Sequence, residues 1–285
     1  MGPLGLIDGR VIDLDEKIVR MEDRGHQFGD GAYEVTKVYN GKLFAYEPHL
    51  ARLERSLQEL RIPLEYSMID LVRFHELLIE KSEIKEGNIY LQVTRGTAPR
   101  VHNFPGTVKS CLTMSIRPSG SNTELREKGV KAITVPDERW LRCDIKSLNL
   151  LGNVLAKQQA KEAGFYEAIL VRDGYLTEGS SSNFYAIKDG EIWTHPVNNL
   201  ILNGITRKIV IDIARSLNIK VIETPFTVEF AQSCDETFLT STTNEVMPVI
   251  GVGSKKINNG IVGPVTRKLQ QAYTNKVDTE CQWVG

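Results

Sequence analysis

The sequence predicts an α+β fold in two domains, with largely antiparallel sheets and helices packed on them. Three observations lead there. Short alternating apolar runs joined by glycine turns recur along the chain. Leucine-periodic segments of helical spacing stand between them. The stretch "RPSGSNTEL" (117–125) interrupts the pattern with Pro, Ser, Gly and Asn. At 285 residues the chain is long enough for two compact cores. The expected division is an N-terminal α/β domain over 1–117, a linker over 118–125 and a C-terminal domain over 126–285.

The elements follow in order. Apolar runs joined by glycine turns open the chain, and "KVYNGKLFAY" carries Asn40-Gly41, a type I′ hairpin signal between two short strands. In "PHLARLERSLQELRI" Leu50, Leu53, Leu57 and Leu60 share one helical face, and Leu71, Phe74 and Leu78 do the same in the next helix. Strands follow at "NIYLQVTRG" and "CLTMSIRP", where Leu112, Met114 and Ile116 alternate with small polar residues. Beyond the linker, "GVKAITV" reads as a strand leading into "WLRCDIKSLNLLGNVLAKQQA". The helix in that stretch is expected to turn Leu148, Leu151, Val154 and Leu155 inward and to end at Gly164. Hairpins at Asp173-Gly174 and Asp189-Gly190, a helix over "ITRKIVIDIARSLN", strands around "VIETP" and "TFLTST" and a last helix near "VTRKLQQAY" complete the layout.

Composition excludes several functions. Lys+Arg 35 against Asp+Glu 36 gives a net charge of −1, so no global field recruits nucleic acid or an anionic membrane. Four scattered cysteines with no CxxC pair argue against a zinc site or a disulfide framework and fit a reducing cytoplasm. The N-terminal stretch lacks the continuous apolar core of a signal peptide, and no run reaches membrane-spanning length. Among motifs, "GDGAYE" has Glu34 where a dinucleotide loop needs its third glycine, and no P-loop exists. "GSSSN" has Asn183 where a nucleophile elbow closes on glycine, and the five histidines show no metal-ligand spacing.

Four stretches remain. "NGITRKIV" opens a helix at Ile205 and Thr206, whose unpaired N–H groups suit a phosphate, although Thr206 could equally serve as a helix cap. "LTSTTNE" offers the hydroxyls of Ser241, Thr242 and Thr243 at a strand end, which alone is ordinary loop composition. "TEGSSSN" places Glu178 at a hairpin beside Ser180, Ser181 and Ser182. Lys146 stands at the seam before a helix, where taken alone it reads as a solvated residue. A lysine, a carboxylate and a phosphate nest together match the needs of pyridoxal 5′-phosphate: an amine for its aldehyde, an acid partner for its ring nitrogen and an anchor for its phosphate.

On "EGSSSN" and "GITR" the chain resembles the fold-type IV pyridoxal-phosphate transaminases over nearly its whole length. "DRGHQFGDGAYEVTKVYNG", "VTRGTAPRVHNFP" and "WLRCDIKSLNLLG" are similar, more narrowly, to the bacterial D-amino acid aminotransferases. The resemblance implies a cofactor held between the domains, with the C-terminal one carrying most of its site. It makes Lys146 the Schiff-base lysine and Glu178 the partner of the pyridine nitrogen. Arg52, otherwise a solvated helix arginine, becomes a phosphate ligand with Ser241, Thr242 and the backbone of Ile205 and Thr206. Ser180, Ser181 and Ser182 line the cofactor, and Leu202 packs against its ring. Tyr33, Arg100 and His102 correspond to the trap for the substrate α-carboxylate, the last two reaching in from a partner subunit, which implies a homodimer.

The resemblance therefore implies ping-pong transamination between D-amino acids and a 2-oxo acid, 2-oxoglutarate or pyruvate. An L-branched-chain aminotransferase is the nearest rival, followed by an aminodeoxychorismate lyase and a non-catalytic cofactor-binding protein. Arg100 with His102 disfavours the first two, and Lys146 with Glu178 disfavours the last.

Overall fold

The computed structural model describes residues 2–120 and 122–282. Residue 121, inside the expected linker, and residues 1 and 283–285, at the ends of the expected domains, lie outside them. The chain forms two compact units. Among the described residues, the first comprises 2–120, Ile145–Asn149 and 280–282; the second comprises 122–144 and 150–279.

The first unit is built on a six-stranded, wholly antiparallel sheet. Its strands are β1 (Leu4–Ile7), β2 (Arg10–Ile12), β3 (Gly31–Tyr39), β4 (Lys42–Leu43), β5 (Gly87–Thr94) and β6 (Cys111–Pro118). They lie in the order β2-β1-β6-β5-β3-β4. Asn40 and Gly41 both have positive φ, 52° and 75°, as a type I′ turn between β3 and β4 demands. Helix α1 (Arg24–Phe28) precedes β3, and α2 (Tyr46–Leu60) and α3 (Met68–Ser82) follow β4. The leucine stripes behave as their spacing predicts: Leu50, Leu53, Leu57, Leu71 and Leu78 join Ile89, Leu91, Val93, Leu112, Met114 and Ile116 in one core.

The second unit holds a nine-stranded mixed sheet. Its strands are β7 (Val130–Pro136), β8 (Glu167–Arg172), β9 (Tyr175–Gly179), β10 (Asn183–Lys188), β11 (Glu191–Thr194), β12 (Val221–Glu223), β13 (Glu236–Ser241), β14 (Glu245–Val252) and β15 (Lys255–Lys256). The path runs β12-β11-β10-β13-β14-β7-β8-β9, with β15 on β14. Three pairings are parallel, β11 with β12, β14 with β7 and β7 with β8, and the others are antiparallel. The helices are α4 (Thr123–Lys128), α5 (Leu151–Glu162), α6 (Ile205–Ser216), α7 (Val228–Ser233) and α8 (Pro264–Glu280). Residues 123–125 of the expected linker are thus the start of α4.

One expectation is overturned. Leu151, Val154 and Leu155 do not point inward: they are 72%, 57% and 59% exposed, and Leu148, outside the helix, is only half-buried. The packed face of α5 is Ala156 and Ala160, set against Val135, Ala168 and Leu170. At about 100° per residue these alanines lie roughly half a turn from the leucine stripe. Small side chains let the helix approach the parallel strands closely, so the larger residues are left on the outer face.

Candidate active site

Lys146 lies in the short segment Ile145–Asn149, which belongs to the first unit although the chain on either side of it, up to 144 and from 150, belongs to the second. Its segment is neither strand nor helix but lies along the start of β3 through an isolated bridge between Ala32 and Ser147. The Tyr33 N–H donates to the Lys146 carbonyl at 3.0 Å, the Leu148 N–H to the Gly31 carbonyl at 3.0 Å, and the Lys146 N–H to the buried Ser56 hydroxyl at 3.3 Å. Gly31 has to be glycine, since a Cβ there would lie 2.6 Å from the Val93 carbonyl oxygen and 2.7 Å from a Leu148 methyl. The backbone on both sides of Lys146 is thereby fixed, and its Nζ comes to rest 4.1 Å from the centre of the Tyr33 ring.

Glu34, the next residue of β3, is buried and projects to the opposite face of the strand. Arg52 of α2 grips it with two bonds, Nε to Oε1 at 2.7 Å and Nη2 to Oε2 at 2.9 Å. His49, one turn earlier, places Nδ1 2.8 Å from Oε2. A carboxylate can only accept, so Nδ1 carries the proton. Burial alone would raise the Glu34 carboxyl, but Arg52 and His49 hold it down at about 2. Arg52 is therefore a buried, oriented cation rather than a solvated helix residue.

Arg100 and His102 lie on the exposed stretch between β5 and β6. Both meet Phe28: the Arg100 guanidinium stands 4.8 Å from the ring centre, and the His102 ring is tilted against it at 5.6 Å.

In the second unit, Glu178 on β9 is buried and accepts from three elements. Arg139 Nη1 reaches Oε1 at 2.5 Å, Asn183 Nδ2 reaches Oε2 at 3.0 Å, and the Leu202 N–H lies within 3.2 Å of both oxygens. Arg139 is shared, however. Its Nε and Nη2 bind Asp137 at 2.9 Å each, and Nη2 also meets the Leu200 carbonyl at 3.0 Å. Burial pushes the Glu178 carboxyl up to about 7; Arg139 and the Leu202 amide oppose that rise, and Asp137 adds to it.

Asn183 links this carboxylate to the next feature by donating also to the Leu202 carbonyl at 2.8 Å. Its Oδ1 fills the space beside Gly204, where a Cβ would come within 2.3 Å. Gly204 opens α6 with no side-chain cap, which directs the first-turn N–H groups of Ile205 and Thr206 outward along the helix axis. Leu202 is half-buried and Thr206 buried. Ser241 ends β13, its hydroxyl accepting from the Asn244 N–H at 3.1 Å, with the half-buried Thr242 next in the turn. The Ser180 and Ser182 hydroxyls both donate to the buried Glu167, while Ser181 is exposed. Among the described residues no group of His, Cys, Asp and Glu could hold a metal ion.

The structure thus brings together Lys146 and Tyr33, and separately Glu178 with Leu202 and the start of α6. Sequence reasoning missed Glu34, His49, Arg139 and Asn183. Glu34 and Asn183 had drawn notice only as residues that break other motifs, and no spacing signal marks pairings 18 or 39 positions apart.

Comparison with known proteins then places the chain in a class. Residues 31–252 match the amino-transferase class IV family, and the chain belongs to that family. More particularly, it is 47% identical over 274 residues to the D-alanine aminotransferase of Staphylococcus haemolyticus, covering 96% of this chain and 97% of that protein. It is 45% identical over 275 residues to the D-alanine aminotransferase of Bacillus licheniformis, with 96% and 97% covered. Among solved structures, the branched-chain amino acid aminotransferase of Escherichia coli is similar with a TM-score of 0.92 at 25% identity, over 96% of this chain and 94% of that one. The Thermobaculum terrenum branched-chain aminotransferase, solved in its PLP form, shares the fold with a TM-score of 0.87 at 24% identity, over 99% and 97%.

Proposed function

We propose that the chain is a pyridoxal 5′-phosphate-dependent D-amino acid transaminase that passes the amino group to a 2-oxo acid such as 2-oxoglutarate or pyruvate. The observation that carries this reading is the 45–47% identity to D-alanine aminotransferases over nearly the whole chain. The donor set of the second unit fits the cofactor: Glu178, sharing Arg139 with Asp137, is a carboxylate short of positive charge, as a partner for a protonated ring nitrogen should be. An uncapped helix start and an oriented buried arginine fit a phosphate.

When bound, the cofactor supplies an aldehyde that captures an amino group and a ring that takes up the electrons released at the substrate α-carbon. In this reading Lys146 holds the cofactor by its Nζ, then takes the α-proton and returns it. Its fixed backbone keeps that nitrogen in register through both tasks. Glu178 holds a proton on the ring nitrogen. Arg52, Ser241, Thr242 and the amides of Ile205 and Thr206 bind the phosphate, while Leu202, Ser180, Ser181 and Ser182 line the cofactor. Tyr33, Arg100 and His102 bind the α-carboxylate.

A homodimer in which Arg100 and His102 serve the partner's site completes the reading. The exposed Leu151, Val154 and Leu155 on α5 support a buried interface there. A cytoplasmic location fits four free cysteines and, among the described residues, no helix long and apolar enough to cross a membrane. The deciding experiment is a substrate panel with 2-oxoglutarate as acceptor. D-alanine and D-glutamate should be turned over far faster than L-leucine; preference for L-leucine over every D-amino acid would replace this reading with the branched-chain one.

A further inference from the structure

The first unit holds a second arginine–carboxylate assembly that the reaction described above does not use. Asp30 sits in the seam between α1 and β3, where Gly29 at φ 66° turns the chain. Its Oδ2 accepts from Arg24 Nε at 2.8 Å and from Arg95 Nε at 2.8 Å, and its Oδ1 from Arg95 Nη2 at 3.0 Å. Burial alone would raise the Asp30 carboxyl, yet the two arginines hold it below the ordinary range.

Neither guanidinium ends there. Arg24 Nη1 donates at 2.7 Å to the carbonyl of Val101, the residue between Arg100 and His102. Arg24 also stands 4.7 Å from the centre of the Phe28 ring, the same ring that meets Arg100 and His102. Arg95 lies 3.7 Å over the Phe104 ring and donates to the Leu60 and Arg61 carbonyls at the end of α2, at 2.8 Å each. Residues 99–104 are in neither strand nor helix and Val101 is 53% exposed, so contacts of this kind give the loop its shape. Arg24 and Arg95 are themselves buried, and without the anion between them two like charges would face each other and turn outward, releasing both ends of the loop.

We propose that Asp30 is a positioning residue for the Arg100–His102 loop, setting through Arg24 and Arg95 where the two side chains present their donors to the substrate carboxylate. The proposal rests on the reading of Arg100 and His102 as carboxylate ligands. Asp30→Asn keeps the shape and removes the charge. In the cofactor-loaded enzyme it raises KM for D-alanine about tenfold and leaves kcat within about threefold, since chemistry at Lys146 is untouched. It also speeds tryptic cleavage of the Arg100–Val101 bond, identified by fragment mass, which a loss of global stability alone would not confine to that bond. Phe104→Ala, which leaves the buried charges in place, shifts both readouts in the same direction by less, and it decides the matter if Asp30→Asn does not fold. A folded variant with wild-type KM overturns the proposal, whether or not cleavage quickens. Arg100→Ala separates the two failures. If it raises KM and the Asp30 variant does not, only the role of Asp30 falls; if it leaves KM unchanged, the carboxylate reading falls and the proposal with it.

Discussion

Glu34 and Glu178 are both buried glutamates paired with an arginine, yet their carboxyls move in opposite directions, to about 2 and about 7. The partners explain the difference. Arg52 gives Glu34 a two-bond fork, and His49 adds a third donor. Arg139 gives Glu178 one bond and spends two on Asp137, whose own charge pushes Glu178 upward. The first carboxylate is fully compensated and so belongs to the framework that orients Arg52. The second is under-compensated and so has unused capacity for a cation. A buried acid is marked as functional less by its burial than by how its counter-charge is divided.

The largest effect tests the premise that the chemistry is at Lys146 at all. Lys146→Ala is expected to lower transamination by several orders of magnitude, because nucleophile and base are lost together. Steady-state turnover close to wild type would remove the reason for contrasting the two carboxylates.

Next comes Glu34→Gln, which leaves Arg52 buried without its anion. A loss of about 3–5 kcal/mol in denaturant-induced unfolding of the cofactor-free protein is expected. Loss under 1 kcal/mol would show Glu34 to be no better compensated than Glu178.

The two acids also predict opposite pH dependences. Glu34 titrates at about 2 folded against an ordinary 4.5, so its stabilisation is complete above 4.5 and is lost as pH falls toward 2. The gap corresponds to about 3 kcal/mol. Glu178 titrates at about 7 folded against 4.5, so its contribution is complete below 4.5 and is lost as pH rises through 7, by a similar amount. Unfolding curves of the cofactor-free protein should therefore lose the acid limb in Glu34→Gln and the neutral limb in Glu178→Gln. The same limb vanishing in both variants would break the contrast.

The smallest effect is kinetic. Glu178→Gln should slow α-proton removal tenfold to a hundredfold, about 1.4–3 kcal/mol, with cofactor still bound. Single-turnover rates equal to wild type would detach Glu178 from the chemistry.

Local patterns were legible in the sequence. Three turns announced by Asn-Gly or Asp-Gly pairs have positive φ at both residues, and the stripes of α2 and α3 face their core. Helices α1, α4 and α7, of five or six residues, carry too little periodicity to be seen, and the inward face of α5 was misjudged because alanines, not leucines, set its packing distance. The motifs drew attention to Lys146, Glu178 and the start of α6. They could not disclose the environments, because Arg139 meets Glu178 and Ser56 meets Lys146 only through the folded topology.

The most direct test of the central claim is the protonation of Glu178 itself, read by isotope-edited infrared difference spectroscopy with Glu178→Gln as the reference. In the cofactor-free protein the carboxyl should titrate at about 7, and binding of pyridoxal 5′-phosphate should lower that titration, because a protonated ring nitrogen beside it would add the positive charge that Arg139 divides with Asp137. A carboxyl whose titration is the same with and without cofactor would contradict the account.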